Sequence, residues 1–305
     1  MSTIVSADVT ASRMAVRTAD PVRTAQRGRR SLRASVGLHA TLILASLIAV
    51  FPVFWVLVTS FKPDDRAITP RPELLVEPTV GNYSDVLSGR DGDFLAWLGN
   101  SLTVALLTTV IAVFISATTG YAVSRFRFPG SRLLLASFLV VQMFPFAVLI
   151  VPLYGVLLAV GLQGTSVGLV LVYCTTAVPF CTYMLKGYFD TIPNAIDESG
   201  RIDGLSPFGV FWRLVLPLAR PGVAVTAFYA FLTAWGEVAF ASAFLSAEDT
   251  SKTLAVGLQV FVQENRVEWG HLAAASILVA IPAVAVFYLV QRFLVAGLAA
   301  GAVKG

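Results

Sequence analysis

Glu237, in the run Ala234-Trp235-Gly236-Glu237, is an acid set deep in an otherwise apolar stretch. A carboxylate there costs roughly a few kcal/mol to bury, so it is a default candidate for a substrate or ion site. The alternative is an acid bonded to a neighbouring helix. Trp235 beside it could stack on a sugar face or simply fill the core. A second candidate is Gly164-Thr165-Ser166-Val167-Gly168, which fits G-x-S-x-G, with His271 as a possible base for Ser–His nucleophilic chemistry. A nucleophile elbow needs a strand–turn–helix. This segment reads as a short turn leading into a helix, so Gly164 and Gly168 fit a small-residue packing face better. His39 and His271 are the two histidines and lie in separate stretches, too few for a zinc cluster. The two cysteines, Cys174 and Cys181, lie in one stretch. On a helix they are roughly 10 Å apart, beyond the about 7 Å that a disulfide spans. No G-x-x-x-x-G-K-[ST] run occurs, so the chain should not hydrolyse ATP by that route. It reads as non-catalytic.

The elements that must position these residues are membrane spans. Soluble domains average about 45–50% apolar and about 25% charged residues. This chain of 305 residues is 56% hydrophobic and 13% charged. Six apolar stretches, residues 38–60, 101–124, 133–158, 167–185, 223–245 and 272–293, approach or exceed the roughly 20 residues that cross a bilayer core. Proline falls inside most of them, as Pro52, Pro145, Pro152, Pro179 and Pro282. Arginine and lysine mark the cytoplasmic loops. The loop after the second stretch carries Arg125, Arg127 and Arg132, and the loop after the fourth carries Lys186, Arg201, Arg213 and Arg220. The remaining loops are net acidic or uncharged. Both termini are therefore expected in the cytoplasm. Residues 1–36, rich in arginine, are expected to form a disordered basic tail, residues 37–297 a six-helix domain, and residues 298–305 a C-terminal tail.

Residues 187–221 hold the chain's most distinctive loop. Pro193-Asn194 could cap a helix start. Glu198, Ile202 and Leu205 fall near one helical stripe, and Gly204 permits a left-handed turn. Ser206-Pro207 restarts a helix with Phe208, Phe211, Trp212 and Val215 on its apolar side, and Pro217 and Pro221 end it. The pattern predicts a rigid knob, or an interfacial amphipathic helix.

Glu198-Ser199-Gly200, Asp203-Gly204, Leu216-Pro217 and Pro221 resemble the E-A-A…D-G…L-P…P pattern of permease subunits of bacterial ABC importers, with Ser199, Gly200 and Leu205 in place of the usual alanines. Ser60-Phe61-Lys62-Pro63, Asn82-Tyr83 and Asn100-Ser101 are similar to the early part of carbohydrate permeases. The runs from Thr253 to Gln259, Trp269-Gly270 and the tail from Gln291 to Gly305 resemble the maltose-type (MalG-like) subunit. Where many sugar permeases have Trp-Asn-acid, this chain has Trp235-Gly236-Glu237.

The resemblance covers about residues 38–305 and implies an all-α type I ABC importer permease bundle of six transmembrane helices in a bacterial plasma membrane. It implies ATPase coupling through Glu198, Ser199, Gly200, Asp203, Gly204 and Pro217, and an ATPase-contacting tail at Gly301, Lys304 and Gly305. Gln259, Gln263 and Trp269 would face the binding protein, and Trp235 and Glu237 the substrate pathway. The implied partners are a second permease subunit, an ATPase dimer that holds ATP and magnesium, an extracytoplasmic solute-binding protein, the sugar and membrane lipid. No cofactor, metal or nucleic acid is implied for this chain. Rival readings are an importer for a polyol or amino acid, and a stand-alone carrier that uses Glu237.

Overall fold

The computed structural model describes residues 32–68, 77–89, 92–245, 249–262 and 267–302. Among these the chain is helical, with isolated backbone bridges at Gly164–Leu245 and Val262–Val267. It divides into two compact units, residues 1–51 and 52–305. The described part of the first is the opening of α1 (Leu32–Ser60). The second unit holds the rest of the bundle.

In the second unit, α2 (Gly81–Ser88) precedes α3 (Phe94–Arg125). α3 starts where the Asp93 carboxylate accepts a hydrogen bond from Ala96 N at 3.1 Å, which satisfies an amide that the first turn leaves open. It contains no proline and runs 32 residues, about 48 Å at 1.5 Å per residue, more than a bilayer core of about 30 Å. α6 (Ser166–Asp190) opens on a Thr165 cap whose hydroxyl accepts from Gly168 N at 3.0 Å. α3 packs along α6 with small residues. A Cβ on Gly120 would lie 3.1 Å from Lys186 N and 3.3 Å from Thr182 O. The Ser116 hydroxyl donates across the seam to Val178 O at 3.2 Å. Such close approach is how helices associate where lipid removes the hydrophobic drive. Away from the seam, Val110, Phe114, Leu133 and Val151 are exposed, as lipid-facing side chains are.

Two of the expected spans are not continuous. The third breaks into α4 (Ser131–Met143) and α5 (Phe146–Ala159), bent by 110°. Proline forces its predecessor out of the helical region, and Phe144 is extended with ψ 134°. Pro52, Pro152, Pro179 and Pro282, by contrast, stay inside helices. The fifth is α10 (Arg220–Trp235), an unwound link at residues 236–238, and α11 (Ala239–Phe244). Among the described residues four helices are long and apolar enough to span alone, and two bent pairs, α4 with α5 and the segment Pro207–Leu218 with α10, bring the number to as many as six. α13 (Trp269–Ala302) runs on through residues 298–302, where a tail was expected, so Gly301 is helical. Residues 1–31, Lys304 and Gly305 lie outside the described residues.

The small-residue pair at the start of α6 serves a turn. Gly164 has φ +73° with nothing near its Cβ position, and a Cβ on Gly168 would collide with Leu162 O. Ser166 follows the cap as the first residue of α6, so no strand precedes it. Cys174 and Cys181 are free and buried.

Gly120→Leu should lower the stability of the purified protein by about 1–3 kcal/mol, the usual range for overpacking. A thermal melt in detergent checks this; an unchanged midpoint would mean that α3 and α6 separate more easily than the contact implies.

Candidate functional site

The loop after α6 folds back on the end of α3. Asp190 closes α6 by accepting from Lys186 Nζ and from the Ser124 hydroxyl, both at 2.7 Å. Five residues later comes α7 (Ala195–Ile202). Asn194 at its start is helical and makes no side-chain cap, contrary to the capping expectation. The helix is anchored instead by Asp197. Its Oδ1 accepts from the Tyr121 hydroxyl at 2.6 Å and its Oδ2 from Arg125 Nε at 3.0 Å. Arg125 also donates through Nη2 to Ile192 O at 2.8 Å. The Asp197 and Arg125 side chains are each only 6% exposed.

An aromatic and aliphatic shell encloses this clamp. The Tyr121 ring lies 4.9 Å from Phe211 and 6.0 Å from Phe189, edge-on to the latter. Ile192, Val210, Val215 and Ala219 are buried in the same cluster. In such surroundings water cannot replace a missing partner, so each charge depends on the other.

The opposite face of α7 is open. Glu198, Ser199 and Asp203 are exposed, and Ile202 is 86% exposed. Glu198 and Ile202 thus share an outward stripe, as expected, but Leu205 lies beyond the helix end and packs inward. Gly200 is buried; a Cβ there would meet Leu214 Cδ1 at 2.6 Å and Val210 Cγ2 at 2.9 Å. Its smallness therefore serves the seam with the following helix. The turn closes with Leu205 N bonded to Gly200 O at 2.9 Å and Gly204 N to Arg201 O at 3.1 Å. This is a Schellman end, which needs a left-handed residue, and Gly204 supplies it with φ +84°.

The second helix of the knob starts at α8 (Pro207–Val210), where the Ser206 hydroxyl accepts from Gly209 N at 3.1 Å. It widens into a π turn at Phe211–Val215 before α9 (Leu216–Leu218). Leu216 N bonds to Phe211 O, five residues back. Pro217 follows directly and has no N–H to continue an α pattern. The segment Pro207–Leu218 meets α10 at 83°. Its apolar side is split: Phe211 and Val215 are buried, while Phe208 and Trp212 are 63% and 52% exposed and stack on each other at 6.2 Å.

In the broken fifth span, Glu237 Oε2 accepts from the Tyr173 hydroxyl at 2.8 Å. Its carboxylate also accepts from Phe240 N at 2.9 and 3.0 Å and from Ala241 N at 3.1 Å. The acid is thus the cap of α11 and ties it to α6. Trp235 is buried and stacked on Phe231 at 5.3 Å, and its indole N–H makes no hydrogen bond. Gln259, on a short 3₁₀ turn, is exposed, and Trp269 at the start of α13 is 43% exposed. Gln263 lies outside the described residues. His271 faces Asp85 at 3.4 Å and Glu268 at 3.3 Å, a setting of acids and not of a nucleophile.

Sequence reasoning placed the knob but missed what holds it. Arg125 was read only as a marker of topology, and Asp197 was passed over for Glu198. The signal was present: Tyr121 and Arg125 are four residues apart on one helical face, and Asp197 shares a face with Gly200.

Membrane-length apolar helices joined through a rigid helical knob define a multi-pass membrane component. The chain belongs to the family of binding-protein-dependent transport system inner membrane components, whose pattern residues 112–300 match. It is 38% identical to the inner membrane ABC transporter permease protein YcjP of Escherichia coli, over 88% of this chain and 96% of that protein. It is 37% identical to the trehalose transport system permease protein SugB of Mycobacterium tuberculosis, over 84% and 93%. It is 34% identical to the maltose/maltodextrin transport system permease protein MalG of Vibrio vulnificus, over 88% and 95%. The crystal structure of a bacterial ABC transporter involved in the import of alginate shares the fold, with a TM-score of 0.72, 20% identity and coverage of 86% of this chain and 97% of that one.

Arg125→Ala should destabilise the protein by about 3–5 kcal/mol, because Asp197 is left buried and alone. Replacing both with leucine should recover part of that loss. Thermal melts of the single and double variants check the pair; equal melts would show it to be dispensable.

Proposed function

We propose that the chain is a permease subunit of an ATP-driven importer for an oligosaccharide, of the maltose/maltodextrin type or closely related. Family membership and relatives named for trehalose and for maltose support a sugar. The resemblance of the 253–259 run and the tail to MalG-like subunits favours maltodextrin within that class. The chain would pair with a second permease subunit, rest on a dimer of ATPase subunits that carry ATP and magnesium, and receive its sugar from an extracytoplasmic solute-binding protein.

The observation that carries this reading is an exposed helical face, Glu198 to Ile202, mounted on a buried clamp. The arginine-rich loops favour a cytoplasmic position, in a bacterial plasma membrane, for α7 and both termini. There Glu198 would make a charge-assisted contact with a basic group on the ATPase. Gly301, Lys304 and Gly305 would reach the same partner, while Gln259, Gln263 and Trp269 would face the binding protein on the other side. Closure of the ATPase dimer pushes on α7, the clamp passes the displacement to α3, and the bundle alternates between inward-open and outward-open states. Trp235 and Glu237 shape the substrate pathway through the jointed fifth span, not through a free carboxylate.

Gly204→Asp should uncouple ATP hydrolysis from uptake while the protein still inserts, because aspartate strains the left-handed turn that sets α7. Normal uptake by that variant would sink the coupling role. Purification in mild detergent should bring down a P-loop ATPase and a second permease; a chain that comes alone, stable and monodisperse, would point to a carrier. Glu237→Gln separates the same two readings. An importer keeps transport, since the amide oxygen still caps α11, whereas a proton-driven carrier loses it.

A further inference from the structure

Asn100 and Ser101 form one of the motifs picked out by resemblance, and nothing so far explains them. They sit near the start of α3, far along the same helix from Tyr121 and Arg125. Asn100 Nδ2 donates to Thr250 O at 2.8 Å and to Lys252 O at 2.9 Å. The Ser101 hydroxyl oxygen accepts from Leu254 N at 2.8 Å. Two adjacent side chains of α3 therefore complete the backbone hydrogen bonding of residues 250–254. Thr250 lies in a short 3₁₀ turn (Asp249–Ser251), Lys252 in the link after it, and Leu254 opens α12 (Leu254–Gly257), whose own ladder cannot reach that first amide. Leu254 is fully buried. The grip continues nearby: Trp97 is fully buried, and a Cβ on Gly257 would collide with its ring.

The same helix thus holds a backbone segment at each end. At one end Tyr121 and Arg125 hold α7 through Asp197. At the other, Asn100 and Ser101 hold residues 250–254. Between them α3 has no proline and no break, unlike the two jointed spans. It is also pressed against α6 at Gly120, which resists bending. A displacement at one gripped segment can move the other only if the element between them is stiff and attached at both ends, and α3 meets both conditions.

We propose that Asn100 and Ser101 are positioning residues that make α3 the rigid link between the segment 250–254, on the binding-protein side, and the coupling helix α7. This rests on the coupling role proposed above. Binding-protein docking then reaches the ATPase through α3, and loosening its outer grip weakens that message without touching α7.

The test uses the complete transporter, with its partner subunits, in nanodiscs. ATPase activity is measured with and without sugar-loaded binding protein. Asn100→Asp keeps the shape but turns a donor into an acceptor against two carbonyls. It should cut stimulation by the binding protein about tenfold. Ser101→Ala should do the same more mildly, and Ser101→Thr, which keeps the oxygen, should restore it. In the double variant Asn100→Asp/Arg125→Lys the losses should fall short of the product of the single losses, because both cut one link. Wild-type stimulation in Asn100→Asp, or losses that multiply, would overturn the proposal. If Asn100→Asp does not assemble, the Ser101 pair decides on the same criteria. If Gly204→Asp also transports normally, the coupling role has failed; if Gly204→Asp uncouples and the Asn100 and Ser101 variants behave as wild type, only the link has failed.

Discussion

An aspartate buried with its arginine is the constraint around which the loop side of this bundle is built. Asp197 and Arg125 come from different elements, and neither has water to fall back on. Once they pair, the end of α3 and the first turn of α7 have a fixed distance and orientation. The rest of the knob follows from that. Gly200 must be small because α7 is held tight against Val210 and Leu214, and Gly204 must be left-handed because the chain has to reverse at once to bring those side chains back. The aromatic cluster of Phe189, Phe211 and Tyr121 completes the enclosure and keeps the pair dry.

Rigidity and articulation are distributed unevenly among the helices. α3 and α6 are continuous and meet through small residues, so their contact is backbone to backbone. The α4–α5 pair is bent by 110°, and α10 and α11 are separated by an unwound link. A bundle with some stiff members and some jointed ones can change shape along a few defined lines, which suits alternating access better than uniform softness would.

Much of this architecture was legible in the sequence because its causes are local. Apolar length marks spans, Ser206-Pro207 marks a helix start, and Gly204 marks a reversal. Proline was the weak point. Pro145 bends its span by 110° while Pro179 and Pro282 leave theirs unbroken, so the residue type alone does not say which proline breaks a span. The same holds for the clamp. Glu198 stood out because the resemblance points to it, but its neighbour Asp197 bears the structural role, and that depends on a partner 72 residues away. Glu237 was equally readable as a free acid or a bonded one until Tyr173 was seen beside it.

The cap on α11 has a further consequence, for how the break in the fifth span is sustained. Irregular backbone at membrane depth is tolerated where it is buried in protein or lines a water-filled cavity. Here the Glu237 carboxylate takes up the amides of Phe240 and Ala241 from within the protein, and the Tyr173 hydroxyl holds that carboxylate in place. Those two amides therefore need no water to satisfy them. The joint in the fifth span thus brings its own acceptor for amides that the break exposes, so the chain can turn there without leaving them unpaired.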